Sequence, residues 1–222
     1  MTNQEWIDHI ERSISDAKIG KSWMNPACKD IRGFSTPTMR HMFNNLLRFD
    51  GPREYWEIGL WGGGTFCSAI SNQDNLWALG WDDYSQVFDV PDIFQQLERN
   101  VAEFKPQDGN GNETRFYNQD FFEWAKEPEG QFSKFDVGFY DGEHSRESTA
   151  KALVAMYPYA KDTFIYIVDD AAWDTVHNGL WDSLIALEDR VDIVKMWELR
   201  GAKKQDDSIF HNGVDIFLIN KV

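Results

Sequence analysis

The chain has 222 residues, 42% of them hydrophobic, which is enough for one domain with a sizeable core and short for two. Its 37 Asp and Glu outnumber 22 Lys and Arg, and a net charge of -15 without any basic block speaks against binding nucleic acid or an anionic membrane surface. The longest apolar runs are strand-sized, no basic-then-apolar leader opens the sequence, and Cys28 and Cys67 stand far apart without a CxxC or CxxH neighbour, so we expect a cytoplasmic protein with neither a disulfide framework nor a zinc site.

Two amphipathic helices come first. Trp6, Ile7, Ile10 and Ile14 form one stripe in residues 1–18, and Met39, Met42, Phe43, Leu46 and Leu47 form another in residues 36–49. From there strands and helices alternate. "REYWEIG" reads as a first strand, followed through a glycine-rich loop by the helix "GTFCSAISN". "NLWALGW" is a second strand and "PDIFQQLERNVAEF" a helix with Phe94, Leu97, Val101 and Phe104 on one face. "KPQDGNGNET" reads as a surface loop, "TRFYN" as a third strand and "DFFEWAKE" as a short helix with a D-x-x-E capping pattern. "KFDVGFY" and "TFIYIV" are strands flanking the helix "SRESTAKALVAMY"; the helix "TVHNGLWDSLIALEDR" then leads to two strands, "VDIVKMWEL" and "GVDIFLINKV". Continuous apolar strands joined by helices predict an α/β fold: a Rossmann-like, doubly wound, mostly parallel sheet of seven strands with helices on both faces. The last pair lacks a helix between its strands and predicts an antiparallel edge. We expect a single domain over 1–222, with 1–50 as helices capping the substrate side.

Ligands of such sheets collect beyond the carboxyl ends of the strands. The first strand delivers "EIGLWGGGTF", the second Asp82 and Asp83, the third Asp120, the fourth Asp141 and the fifth Asp169 and Asp170. An Asp between strand and helix is also an ordinary N-cap, but that accounts poorly for the whole set. The glycine loop suits a phosphate or a carboxylate held close to the main chain, or else a tight turn with close helix packing. A dinucleotide fingerprint does not fit, since Trp61 or Cys67 replaces a required glycine in either register. Asp82, nineteen residues after Gly63, could accept both hydrogen bonds of a ribose diol. Loop and acid together indicate an adenosyl ligand.

In this order, "EIGLWGGGTF", "LGWDD", "NQDFFE", "FDVGFYDGEHS" and "FIYIVDDAAWD" resemble the class I S-adenosylmethionine-dependent methyltransferases over roughly residues 33 to 222. The likeness is closest to metal-dependent small-molecule O-methyltransferases of the catechol, caffeoyl-coenzyme A and antibiotic-sugar types. The resemblance implies that Glu57, Gly59, Gly63, Gly64 and Thr65 surround the methionine part of S-adenosylmethionine, that Asp82 holds its ribose, and that Asp120 and Phe121 lie by the adenine, with Asp141 nearby. It implies Asp141, Asp169 and Asp170 as ligands of a divalent cation, with Glu143 as a competitor. His144 takes the place of a lysine that serves those enzymes as a general base, so His144 and Asp141 are the expected catalytic residues.

The chemistry fits the residues. Methyl transfer needs alignment and a deprotonated acceptor, and three carboxylates from neighbouring strand ends suit magnesium or calcium, which can ease that deprotonation. His177 and His211, in loops at the same edge, are reserve bases; Trp61 and Trp173 could wall the pocket. "GAKKQDDSIFHNG" reads as a lid or as a surface loop. The expected activity is therefore metal-assisted O-methylation of a small hydroxylated acceptor. Metal-independent N- or O-methylation, a non-catalytic adenosyl-binding protein and a dinucleotide-dependent oxidoreductase are the alternatives. Acceptor identity is not legible, and a homo-oligomer is left open.

Overall fold

The computed structural model describes residues 1–86, 90–106, 111–126, 133–201 and 210–222. Helices α1 (Asn3–Lys18) and α2 (Pro37–Leu46) are joined through a 3-10 turn at Pro26–Asp30. Then come β1 (Arg53–Ile58), α3 (Gly64–Ile70), β2 (Leu76–Asp82), α4 (Ile93–Phe104), β3 (Glu113–Asn118), α5 (Phe121–Trp124) and β4 (Phe135–Tyr140). The chain closes with α6 (Arg146–Met156), β5 (Ala160–Val168), α7 (Asp174–Ala186), β6 (Val191–Leu199) and β7 (Val214–Lys221). Side chains start the helices where the sequence placed them. Thr2 and Glu5 form a reciprocal capping box on α1, Thr36 caps α2 ahead of Pro37, and Ser145 caps α6.

The seven strands run in the order β3-β2-β1-β4-β5-β7-β6. β3, β2, β1, β4 and β5 are mutually parallel, and β7 is antiparallel to both its neighbours. The last strand is thus antiparallel as expected, but it lies inside the sheet and β6 forms the edge. Composition explains the placement. The first six residues of β7 are all buried, whereas β6 carries Asp192, Lys195 and Glu198 and is mostly exposed or half-exposed, as a lone edge must be.

Strand alternation splits the interior into two cores. On one face Tyr55, Ala78, Phe139, Ile165, Ile167, Ile216 and Leu218 pack with α1, α2, α3 and α4; on the other Trp56, Trp81, Tyr166, Val168 and Phe217 pack with α5, α6 and α7. An irregularity between Phe135 and Val137 lets two same-parity residues of β4 serve opposite faces.

Three local expectations change. Ile93 rather than Phe94 joins the core stripe of α4, because Phe94 turns to Tyr84 and Phe116. Asp120 caps α5, but Glu123 pairs with Lys126 instead of closing a capping box. His177 lies within α7, not in a loop. Most of the expected lid, residues 202–209, falls outside the described residues, as do 107–110 of the surface loop. Among the described residues no helix is long and apolar enough to cross a membrane.

Candidate active site

The parallel strands deliver their carboxyl ends side by side, and the ladder continues into the loops. Gly59 N donates to the Trp81 carbonyl and Asp141 N to the Ile58 carbonyl, each at 2.8 Å. This brings Gly59 so close to the next strand that a Cβ there would lie 1.9 Å from the Asp141 carbonyl oxygen. Gly59 also has φ of +92°, so no side chain suits it. The bare faces of the following glycines meet protein too: Gly63 meets Leu97 and Cys67, and Gly64 meets the Arg40 guanidinium. Close packing therefore accounts for much of the glycine requirement.

Beneath the loop Glu57 is fully buried and accepts hydrogen bonds from the Tyr55 and Thr65 hydroxyls. Burial pushes its carboxyl up to about 8. Asp82 ties the loop to β2, accepting from Trp61 N and Tyr84 N at 2.7 Å each. Its carboxyl is also raised, since burial outweighs those two bonds. Each of its oxygens keeps a second lone pair for a ligand. Trp61 has φ of +43° and is half-buried at the strand ends, packed against Phe34 (centroids 5.1 Å apart) with Arg32 over its ring, and it joins neither core. Sequence reasoning missed Tyr84, Arg32 and Phe34, which carry no motif.

Asp120 accepts from Phe122 N, and Phe121 packs within the aromatic core against Trp81 and Trp124. Both side chains thus have structural partners of their own.

At the ends of β4 and β5 a polar cluster forms. One ligand atom from each of Asp141, His144 and Asp170 lies within 4.8 Å of the others. His144 Nε2 is 2.9 Å from Asp170 Oδ2 and 3.7 Å from Asp141 Oδ1. The ring stands edge-on to the exposed Trp173, centroids 5.0 Å apart. Asp170 reaches this group through a left-handed backbone, φ of +51°, which turns its side chain away from the course of β5. Asp169 continues the strand, its N–H on the Tyr140 carbonyl, and its Oδ1 is buried without a hydrogen-bond partner among the described residues. His144 thus joins the cluster at the place where Asp169 was expected. Glu143 is turned away, accepting from the Ser148 hydroxyl of α6. His211 sits in the turn before β7.

Attraction from Asp141, then Asp170, raises the His144 imidazole to about 10, which favours its protonated form. Burial pushes Asp141 up to about 6, with His144 opposing and Asp170 adding to the rise. Asp169 is raised strongly, by burial first and then by Asp141 and Asp170. Asp141 and Asp82 also raise Glu57, so the acids that follow β4 and β2 help keep the β1 carboxyl protonated.

This strand order, with a glycine loop after β1 and acids after β2, β4 and β5, is the class I S-adenosylmethionine-dependent methyltransferase fold. The sequence pattern of a methyltransferase domain family matches residues 56–171, from the middle of β1 to just past Asp170. The chain belongs to this methyltransferase family. Among curated proteins none matches its sequence significantly. Solved structures agree on the fold. An O-methyltransferase from Bacillus cereus, in complex with S-adenosylhomocysteine, superposes with a TM-score of 0.58 at 15% identity, over 94% of this methyltransferase and 91% of the other chain. The O-methyltransferase TomG from Streptomyces achromogenes, involved in tomaymycin synthesis and bound to S-adenosylmethionine, gives 0.55 at 15% identity over 99% of both chains. A precorrin 8w decarboxylase from Methanobacterium thermoautotrophicum gives 0.51 at 15% identity over 90% and 97%. The last shows that the scaffold hosts more than one chemistry, so the acceptor must be argued from the site.

Proposed function

We propose that this methyltransferase moves the methyl group of S-adenosylmethionine to an oxygen of a small hydroxylated acceptor, assisted by a divalent cation. The observation that carries the cation is the group at the ends of β4 and β5: Asp141, His144 and Asp170 with converging ligand atoms, and Asp169 beside them with an unsatisfied buried oxygen. Carboxylates with one imidazole fit a hard or borderline divalent ion, so manganese joins magnesium and calcium as a candidate. The negative charge of Asp82 and Asp141 fits a sulfonium, and the loop that begins at Gly59 touches both, through the Trp61 amide and the Gly59–Asp141 contact. Bound there, the cofactor would supply an electrophilic methyl group, and the cation a charge that eases loss of the acceptor's hydroxyl proton.

The chain's own residues would divide the remaining work. Asp82 would accept from the ribose diol with its free lone pairs while its amide bonds hold the loop. Glu57 would brace the loop from below, and Asp120 and Phe121 would border the adenine. Trp61 and Trp173, half-buried and exposed at the strand ends, would wall the acceptor from water. His144 and Asp141, side by side at the ends of these strands, would hold or move the acceptor's proton.

One observation favours a second reading. The His144 imidazolium offsets part of the carboxylate charge, so the cluster depends less on an added ion. Methyl transfer to a panel of catechols and other small hydroxylated compounds, measured before and after chelation, separates the two. Loss of activity on chelation, with recovery on adding magnesium or manganese, is expected; activity unchanged by thorough metal removal would establish the metal-free reading.

A further inference from the structure

Asp215 is a fully buried acid that neither the glycine loop nor the cation group uses. It interrupts an apolar stretch of β7, with Val214 before it and the run Ile216–Ile219 after it. Directly across the ladder stands a second acid, Glu198 of β6. Like charges opposite one another repel, and a buried carboxylate is costly to desolvate. Arg200 answers both: its Nη1 donates to Asp215 Oδ1, and its Nη2 to Glu198 Oε1 at 3.0 Å. Asp215 Oδ2 has no hydrogen-bond partner among the described residues. A buried ion pair that is only partly satisfied stabilises a fold poorly, and apolar residues of similar volume often do as well or better. Stability therefore gives no reason to keep an acid at this position.

The place of the pair supplies one. On its other side Asp215 is paired with Val168, the last residue of β5 and two before Asp170. The turn that follows β5 is stitched to the entry of β7: Ala171 N donates to the Gly213 carbonyl (3.0 Å) and Ala172 N to the Asn212 carbonyl (2.8 Å). Gly213 has φ of +85°, and a Cβ built on it would lie 3.0 Å from Arg200 Cδ and 3.2 Å from Ala172 Cβ. Arg200, pinned by two acids, thus packs on the bare face of the residue that holds this turn. In the same turn Asp170 takes its left-handed backbone and brings Oδ2 to 2.9 Å from His144 Nε2. Contact therefore runs without a gap from Asp215 through Arg200 and Gly213 to the residues that follow Asp170.

Given the cation of the proposed function, on which this inference rests, we propose that Arg200 and Asp215 are positioning residues: the pair fixes the junction of Ala171 with Gly213 and so holds the Asp170 carboxylate where it converges with Asp141 and His144. Residues that orient ligands without touching the ion act on its affinity.

The test compares wild type with the apolar double variant Asp215→Leu/Arg200→Met. Manganese binding is read from loss of the free-ion signal in electron paramagnetic resonance, S-adenosylhomocysteine binding by calorimetry, and stability from the melting temperature. The double variant is expected to melt at or above the wild-type temperature and to leave S-adenosylhomocysteine nearly unchanged, yet to bind manganese about 10-fold more weakly. Wild-type manganese affinity in the double variant overturns the positioning role and leaves the cation reading intact. Manganese affinity, S-adenosylhomocysteine affinity and melting temperature falling together also overturn it, because the pair would then be a general structural tie. Absence of manganese binding by wild type defeats the cation reading, and this one with it. Should the double variant not fold, Arg200→Lys decides: it keeps a charge beside Asp215 but lacks the rigid fork that spans both acids. Its manganese affinity should fall several-fold, and an unchanged value rejects the proposal.

Discussion

The junction of Gly59 with Asp141 can be tested by giving Gly59 a methyl group and comparing it with a glycine of the same backbone conformation and no neighbour. Gly59 has φ of +92° and Gly51 has φ of +95°, yet a Cβ at Gly59 would sit 1.9 Å from the Asp141 carbonyl oxygen, whereas at Gly51 nothing lies within 4 Å. Alanine at either position incurs about 1–2 kcal/mol for left-handed backbone. At Gly59 the methyl would also be well inside the 3.4 Å at which ordinary contact begins, so one chain must move by more than an ångström. Overpacking of that kind adds about 1–3 kcal/mol. Gly59→Ala should therefore cost about 2–5 kcal/mol, and Gly51→Ala about 1–2 kcal/mol. Urea denaturation of both variants measures the difference directly, with about 2–4 °C of melting temperature per kcal/mol as a second readout in a domain of this size. Because the displaced chain carries Asp141, Gly59→Ala should also weaken binding of S-adenosylhomocysteine, and Gly51→Ala should not. Equal destabilisation by the two substitutions would show that the strand ends do not approach as described.

Glu57 makes stability depend on pH in a fixed direction. Its carboxyl titrates at about 8 in the fold against an ordinary 4.5, so between those values the folded chain holds a proton that the unfolded chain releases. Stability should therefore fall as pH rises through that window, by at most roughly 1.4 kcal/mol per pH unit, and be fully recovered below it. Glu57→Gln should remove this part of the slope; wild-type and variant denaturation profiles that run parallel from pH 5 to about 8 would contradict the buried, protonated state. Asp82→Ala strands the Trp61 and Tyr84 amides, each of which donates at 2.7 Å. It should cost about 2–4 kcal/mol and weaken S-adenosylhomocysteine more than Asp83→Ala does, since Asp83 is exposed and, among the described residues, bonds only Ser85. Equal effects of the two substitutions in a urea titration and a binding assay would refute the role of Asp82.

The order of elements was legible because the central strands β4 and β5 are largely apolar runs and several helices open on a capping side chain, such as Ser145 of α6. The acids at the strand ends were legible for the same reason: a strand's last residue fixes which end of the sheet its neighbour occupies. What depended on contacts distant in sequence was not. Nothing in "EIGLWGGGTF" says that Gly59 abuts Asp141 or that Gly64 abuts Arg40. The meeting of His144 with Asp170 was equally out of reach, because Asp170 gets there only through a left-handed backbone residue. Arg40 was hidden for a simpler reason: an arginine on an amphipathic helix ordinarily marks the solvent face, although its position between Met39 and Phe43 put it beside the apolar stripe. The interior position of β7 could have been sought in the apolar run Ile216–Ile219, set against the charged β6.

The most direct measurement is a calorimetric titration of the wild-type chain with S-adenosylhomocysteine and, separately, with NAD. A loop of the Gly59–Thr65 kind, with Asp82 beyond it, predicts saturable one-to-one binding of S-adenosylhomocysteine and no heat with NAD. Saturable binding of NAD, or none of either ligand, would contradict the account.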